Sequence, residues 1–181
     1  MEEMIENILV KTRQKKAPEP VNLNDLLARE LDFLHADPVF KHKVEKEIAL
    51  AEALPPVMCV YTDFSQVFGN LLRNGVEAMH GREPKRLRVA TAFEMGRVVV
   101  EIGDTGCGIP EAHRPLLFRP FFTTKTGSGA SGDPRGTGLG LYTVRQLLDA
   151  YGATIEVKTE VNVGTTFHLK IPASGERQRH S

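Results

Sequence analysis

The chain has 181 residues, enough for one domain or for one domain with a short appendage. Hydrophobic residues make up 41% of it, which suffices for a packed core. Its 23 basic and 23 acidic residues cancel, which excludes nucleic-acid binding or membrane contact driven by bulk charge.

Between residues 2 and 13, apolar Met4, Ile5, Ile8 and Leu9 recur at helical spacing. The basic, proline-bearing stretch 15–20 reads as a linker. Asn22 or Asn24 caps a helix to about Phe33, with Leu26, Leu27, Leu31 and Leu34 as its apolar stripe. Residues 44–50 alternate loosely and read as a strand. Pro55-Pro56 break the chain before a short strand over 57–61. Asp63-Phe-Ser-Gln66 has the form of a capping box, with Asp63 as the cap. The helix behind it runs to about Met79, with Val67, Phe68, Leu71, Leu72 and Met79 on its apolar side. Asn70, Asn74 and Glu77 recur at i, i+4 and i+7 and share another face. Leu87, Val89, Thr91 and Phe93 alternate, as do Val98, Val100 and Ile102, and predict a β-hairpin closed near 94–96.

Residues 123–135 are irregular and rich in glycine, serine and proline. A loop of that length in a small domain is either functional or disordered, and its place directly before a glycine cluster favours a lid. Phe121 and Phe122, joined by Phe118, read as hydrophobic anchors for the base of that lid. A second helix is predicted over 137–151, then a strand pair over 154–159 and 165–171. The polar tail from Ala173 is expected to fray. Blocks of helices and antiparallel strands predict an α+β two-layer sandwich, with helices on one face of a mixed, mostly antiparallel sheet. Residues 1–20 then form an appended helix end and linker, 21–172 the domain, and 173–181 a flexible tail.

Two cysteines, Cys59 and Cys107, make no disulfide framework and suit a reducing, cytoplasmic compartment. No apolar run approaches a membrane span, and the first residues lack the basic and apolar regions of a signal peptide.

Three segments carry chemistry. Arg135-Gly136-Thr137-Gly138-Leu139-Gly140-Leu141 feeds a helix. Its glycines let backbone N–H groups approach an anion, and the helix N-terminus favours negative charge there. Asn70-Leu-Leu-Arg-Asn74 places two poor helix formers one turn apart in mid-helix. Asp104-Thr-Gly-Cys-Gly-Ile-Pro110 ends a strand and enters a glycine turn. Read alone, each has a bland alternative: a connecting glycine turn, amides bonded to their own helix, and a simple strand connection.

Together with Arg119-Pro-Phe-Phe-Thr-Thr-Lys125 and the closing Gly164-Thr-Thr-Phe167, these segments resemble the nucleotide-binding boxes of sensor histidine kinases. Those kinases share a superfamily, and its Bergerat-type ATP-binding fold, with gyrase, MutL and a heat-shock chaperone ATPase. The likeness covers roughly residues 63–172, and its spelling resembles the nitrogen-sensor and oxygen-sensor subfamilies.

The resemblance implies that Asp104 accepts a hydrogen bond from the adenine amine, a donor that guanine lacks at that position. Gly106, Gly108 and Ile109 would line the base. Asn74 would hold Mg2+ beside the phosphates of ATP, since that ion takes few protein oxygens and keeps several waters. Phe122, Thr123, Thr124, Lys125 and Arg135 would approach the nucleotide from the lid, with Lys125 also neutralising charge during transfer. Gly136, Thr137, Gly138, Leu139 and Gly140 would offer backbone donors to the phosphates. Asn70 stands where the ATPases carry a glutamate base, and an amide cannot act as a base near neutral pH. That favours transfer to histidine over ATP hydrolysis or serine phosphorylation. Glu77 departs from the pattern, because many of these kinases have a basic residue there; Arg73 is the substitute cation.

None of the six histidines, His35, His42, His80, His113, His168 and His180, is followed directly by an acidic residue, as a phosphoacceptor would be. Residues 1–13 resemble the end of a dimerisation helix. The expected function is binding of Mg-ATP and γ-phosphoryl transfer to a histidine on a separate dimerisation segment, which then serves a response-regulator receiver domain. A homodimer is expected only in the longer parent, with no nucleic-acid or membrane contact by this chain. The alternatives are an ATPase or conformational switch, a serine kinase, and an adaptor that keeps only the fold.

Overall fold

The computed structural model describes residues 16–124 and 136–174. Strand β1 (Glu19–Val21) leads into helix α1 (Leu23–Leu34) and the short helix α2 (Pro38–Lys43). Strands β2 (Glu45–Ala49) and β3 (Val57–Cys59) precede the long helix α3 (Tyr61–Ala78). Strands β4 (Arg86–Glu94) and β5 (Arg97–Asp104) form the hairpin, followed by a 3-10 helix (Glu111–Leu116). Helix α4 (Gly140–Ala150) and strands β6 (Thr154–Glu160) and β7 (Gly164–Pro172) complete the order.

The main sheet runs β2-β4-β5-β7-β6, antiparallel except for the parallel pair β2 and β4. One face is apolar by strand alternation. Leu87 and Val89, Val98 to Ile102 at every second position, and Phe167, Leu169 and Ile171 point into a core closed by α1, α3 and α4. The other face carries ion pairs such as Arg88–Glu47 at 2.9 Å and His168–Glu101 at 3.1 Å, each with substantial exposure and little net stabilisation. This is the two-layer sandwich expected from the sequence.

Several local expectations are corrected. The stretch read as a linker ends in β1, which pairs antiparallel with β3, Pro20 opposite Met58. Helix α2 lies where Pro38 suggested a turn. Proline suits a first helical position, and Asp37 Oδ1 accepts the Phe40 N–H at 3.1 Å. The capping box at Asp63 does not form. Helix α3 starts earlier, at Tyr61, and its N-cap Val60 offers no side-chain bond. Asp63 is instead buried and accepts from Tyr151 Oη at 2.7 Å, while that oxygen accepts the Val60 N–H at 3.1 Å. A tyrosine from the end of α4 thus does the work the box was expected to do.

At α1 the cap is Asn22, whose Oδ1 accepts the Asn24 N–H at 2.9 Å. Asn24 bridges to Ala51 O and Thr91 Oγ1, pinning the 50–56 loop to the sheet. Helix α4 begins at Gly140 and not at 137, because Gly138 has φ +69 and cannot sit in a right-handed turn. The tail is held at its root: the Ala173 and Ser174 N–H groups donate to Gly96 O and Pro56 O. The helix expected over 2–13 and most of the lid fall outside the described residues.

Candidate functional site

A cleft of about 510 Å³ opens between α3, the end of β5, the 3-10 helix and the start of α4. Helix α3 contributes Asn70, Arg73, Asn74 and Glu77 from its non-core face, because Val67, Phe68, Leu71 and Leu72 commit the opposite face to the core. Asp104 enters from the last residue of β5, and sheet register sets Thr165 of β7 directly beside it.

The Asp104 carboxylate is aimed by its own turn. The Gly106 N–H donates to Oδ1 at 2.8 Å, and the carboxylate lies close to Gly75 of α3, where a Cβ would stand 3.4 Å from Asp104 Cβ. The turn glycines serve the chain's own packing. A Cβ on Gly106 would come within 2.6 Å of Ala78 Cβ, and one on Gly108 would overlap the Glu160 carbonyl. Gly108 and Ile109 line the cleft, while Gly106 lies behind its wall. The Ile109 N–H is taken by Thr159 Oγ1 at 2.9 Å.

At the other end, Asn70 Nδ2 donates to Gly140 O at 3.3 Å, and Arg73 donates to Asn70 Oδ1 at 2.8 Å. These bonds tie α3 to the first residue of α4 and fix which way the amide faces. Gly136, Thr137, Gly138 and Gly140 line this end. Leu139 does not, and its N–H reaches Thr137 Oγ1 at 3.3 Å. Phe122, Thr123 and Thr124 form the near wall, with the Phe122 ring edge-on to His113 at 5.5 Å. Lys125 and Arg135 lie outside the described residues.

Phe121 is not an anchor. Its side chain is 55% exposed and its φ is +64, a left-handed conformation costly for a bulky residue. Its backbone packs so closely on Gly138 that any Cβ there would overlap it. Phe118 does pack against the core, with Arg145 5.9 Å from its ring.

The sequence reading missed His80, Arg82, Cys107, His113 and Thr165 as lining residues. Thr165 had a signal, since its alternation with Phe167 and Leu169 places it inward. Arg82 reaches the cleft rim through a bond to Asn162 Oδ1 at 2.7 Å, a long-range contact that spacing does not encode. His113 Nδ1 is buried with no hydrogen-bond partner.

The profile of the family described as histidine kinase-, DNA gyrase B- and HSP90-like ATPase matches residues 59–175. The chain belongs to this family, and its fold and cleft are those of the ATP-binding catalytic domain of the histidine kinases. It is 29% identical over 154 residues to sporulation kinase E of Bacillus subtilis, covering 85% of this chain and 20% of the relative. It is 36% identical over 180 residues to the sensor kinase CckA of Brucella abortus, covering 92% and 18%. The chain therefore spans about a fifth of the length of these relatives. Among solved structures, the catalytic domain of the histidine kinase ThkA superposes with a TM-score of 0.73 at 29% identity, covering 90% of this chain and 100% of that one. Full-length ShkA in complex with AMPPNP gives 0.72 at 25% identity, covering 87% and 31%. No helix among the described residues is long and apolar enough to cross a membrane.

Proposed function

We propose that this chain is the catalytic unit of a sensor histidine kinase. It binds Mg-ATP in the cleft and delivers the γ-phosphoryl group to a histidine on a separate dimerisation segment of a longer, homodimeric parent. The phosphoryl group then passes to a response-regulator receiver domain. A solved complex of ThkA with the response regulator TrrA, 25% identical with a TM-score of 0.70, supports that partnership by analogy.

The observation that carries the reading is the pair of cleft ends. At one end Asp104 presents a carboxylate aimed by Gly106, a suitable acceptor for the adenine amine. At the other stands Asn70, clamped by Gly140 O and Arg73, where an ATPase needs a base. An amide so held cannot take a proton from water, so hydrolysis lacks its activating group. What remains is positioning. The acceptor nitrogen attacks phosphorus, the bond to the ADP oxygen breaks, and the phosphate-end backbone and lid hold the departing charge. In that scheme Ile109, Phe122, Thr123 and Thr124 enclose the nucleotide, and Lys125 and Arg135 contact phosphate. Asn74 suits Mg2+, a hard cation that needs a neutral or anionic oxygen and open space for its waters. When bound, the ion neutralises phosphate charge.

The test is to offer labelled Mg-ATP and this chain to histidine-bearing and serine-bearing acceptor segments. The reading expects acid-labile, base-stable label on histidine only. Acid-stable label on serine, or rapid release of free phosphate with no acceptor labelled, would contradict it.

A further inference from the structure

Glu77 does not fit the kinase pattern as a phosphate contact, and the structure suggests another use. It follows Asn74 by three residues on α3, so the two side chains stand side by side, with Cβ atoms on the order of 5–6 Å apart. Both line the same cleft. A carboxylate on that wall repels a triphosphate unless a cation stands between them.

Among the described residues, the two arginines of the wall already hold other groups. Arg73 donates to Asn70 Oδ1 at 2.8 Å, and Arg82 to Asn162 Oδ1 at 2.7 Å. An amide oxygen and a carboxylate one turn apart, facing open volume, form an all-oxygen donor set suited to a hard divalent ion that keeps several waters.

We propose that Glu77 is a second anchor for the magnesium of Mg-ATP, acting directly or through a metal-bound water, and that it makes nucleotide binding depend on the metal. The proposal rests on the nucleotide reading of the cleft. In it Asn74 supplies a neutral oxygen and Glu77 supplies the charge. Without metal, Glu77 disfavours ATP; with metal, the same carboxylate favours it. The residue therefore acts with opposite sign in the two conditions, which no structural role would produce.

The experiment is calorimetric titration of ATP, with and without Mg2+, and of adenosine, into the wild-type chain, Glu77→Gln and Glu77→Asp. In Glu77→Gln, metal-free ATP should bind several-fold more tightly, and the tightening caused by Mg2+ should shrink by about 10-fold, the scale seen when a metal site loses a supporting group. Glu77→Asp keeps the charge and should retain most of the metal response. Adenosine, which carries no phosphate, should bind all three alike, confirming that the variants are folded. An unchanged Mg2+ response in Glu77→Gln would overturn the proposal and leave Glu77 to pair with a lid cation. Loss of ATP binding in both conditions, with adenosine binding kept, would also overturn it. If the wild type binds neither ATP nor adenosine, the nucleotide reading itself fails.

Discussion

Asp104 is the residue on which base selection turns. Its Oδ1 is held by the Gly106 N–H at 2.8 Å, so the carboxylate plane is set before any ligand arrives. Asp104→Asn would place an amide donor against the donor amine of adenine. Losing one charge-assisted bond costs about 1.5–3 kcal/mol, which predicts roughly 10- to 150-fold weaker ATP binding by calorimetry. Unchanged affinity in a folded variant would remove Asp104 from the site. The carboxamides and the carboxylates were legible because their spacing on α3 and after β5 is local. What spacing did not disclose is what the glycines do. Gly106 and Gly108 make room for Ala78 and for the β6–β7 turn at Glu160, contacts more than twenty-five residues away in the chain. Phe121 was misread for a related reason. Its hydrophobicity promised burial, but its backbone is committed to Gly138 and its side chain faces out.

At the scale of elements, the junction between α3 and α4 carries both stability and site geometry. Tyr151 Oη donates to buried Asp63 and accepts the Val60 N–H. Tyr151→Phe should leave a buried carboxylate and a helix-start N–H short of a partner, costing about 1–3 kcal/mol in urea unfolding. A loss within error would mean that water replaces the hydroxyl without penalty. The same cluster sets an alkaline limit. Burial, with the Asp63 charge beside it, pushes the Cys59 thiol up to about 12; burial and the bond to Asp63 push the Tyr151 hydroxyl up to about 12. Both groups keep their protons longer in the folded chain than in the unfolded one. Their contribution is fully present below the ordinary thiol and phenol range and is lost as pH rises towards 12. Unfolding free energy should therefore fall from about pH 9 upward, and less steeply in Cys59→Ala; a flat profile would contradict the burial of this cluster. The capping-box expectation failed here because a tertiary partner eighty-eight residues away outcompeted a local one.

Across the whole molecule, periodicity alone recovered the sandwich, since every core strand alternates and each long helix has one apolar face. The parallel pairing of β2 with β4 and the small β1–β3 sheet were not legible, because edge pairing depends on where the chain returns. At this scale the prediction concerns self-phosphorylation. Incubated alone with labelled Mg-ATP, the chain should bind nucleotide but acquire no histidine label, since none of its six histidines is followed by an acidic residue. Among the described ones, His113 reaches the cleft wall with its Nδ1 covered. Acid-labile label on the isolated chain would show that an acceptor lies within it. Adding the parent's dimerisation segment as a separate molecule should restore labelling only weakly, because the effective concentration of a tether is lost.

The most direct measurement of the central claim, that this cleft is an adenine-nucleotide site, is paired calorimetry of ATP and GTP with and without Mg2+. The account predicts that ATP binds, that Mg2+ tightens it, and that GTP binds at least about 10-fold more weakly, because its ring carbonyl meets the Asp104 carboxylate acceptor to acceptor. Equal binding of the two nucleotides, or binding of neither, would contradict it.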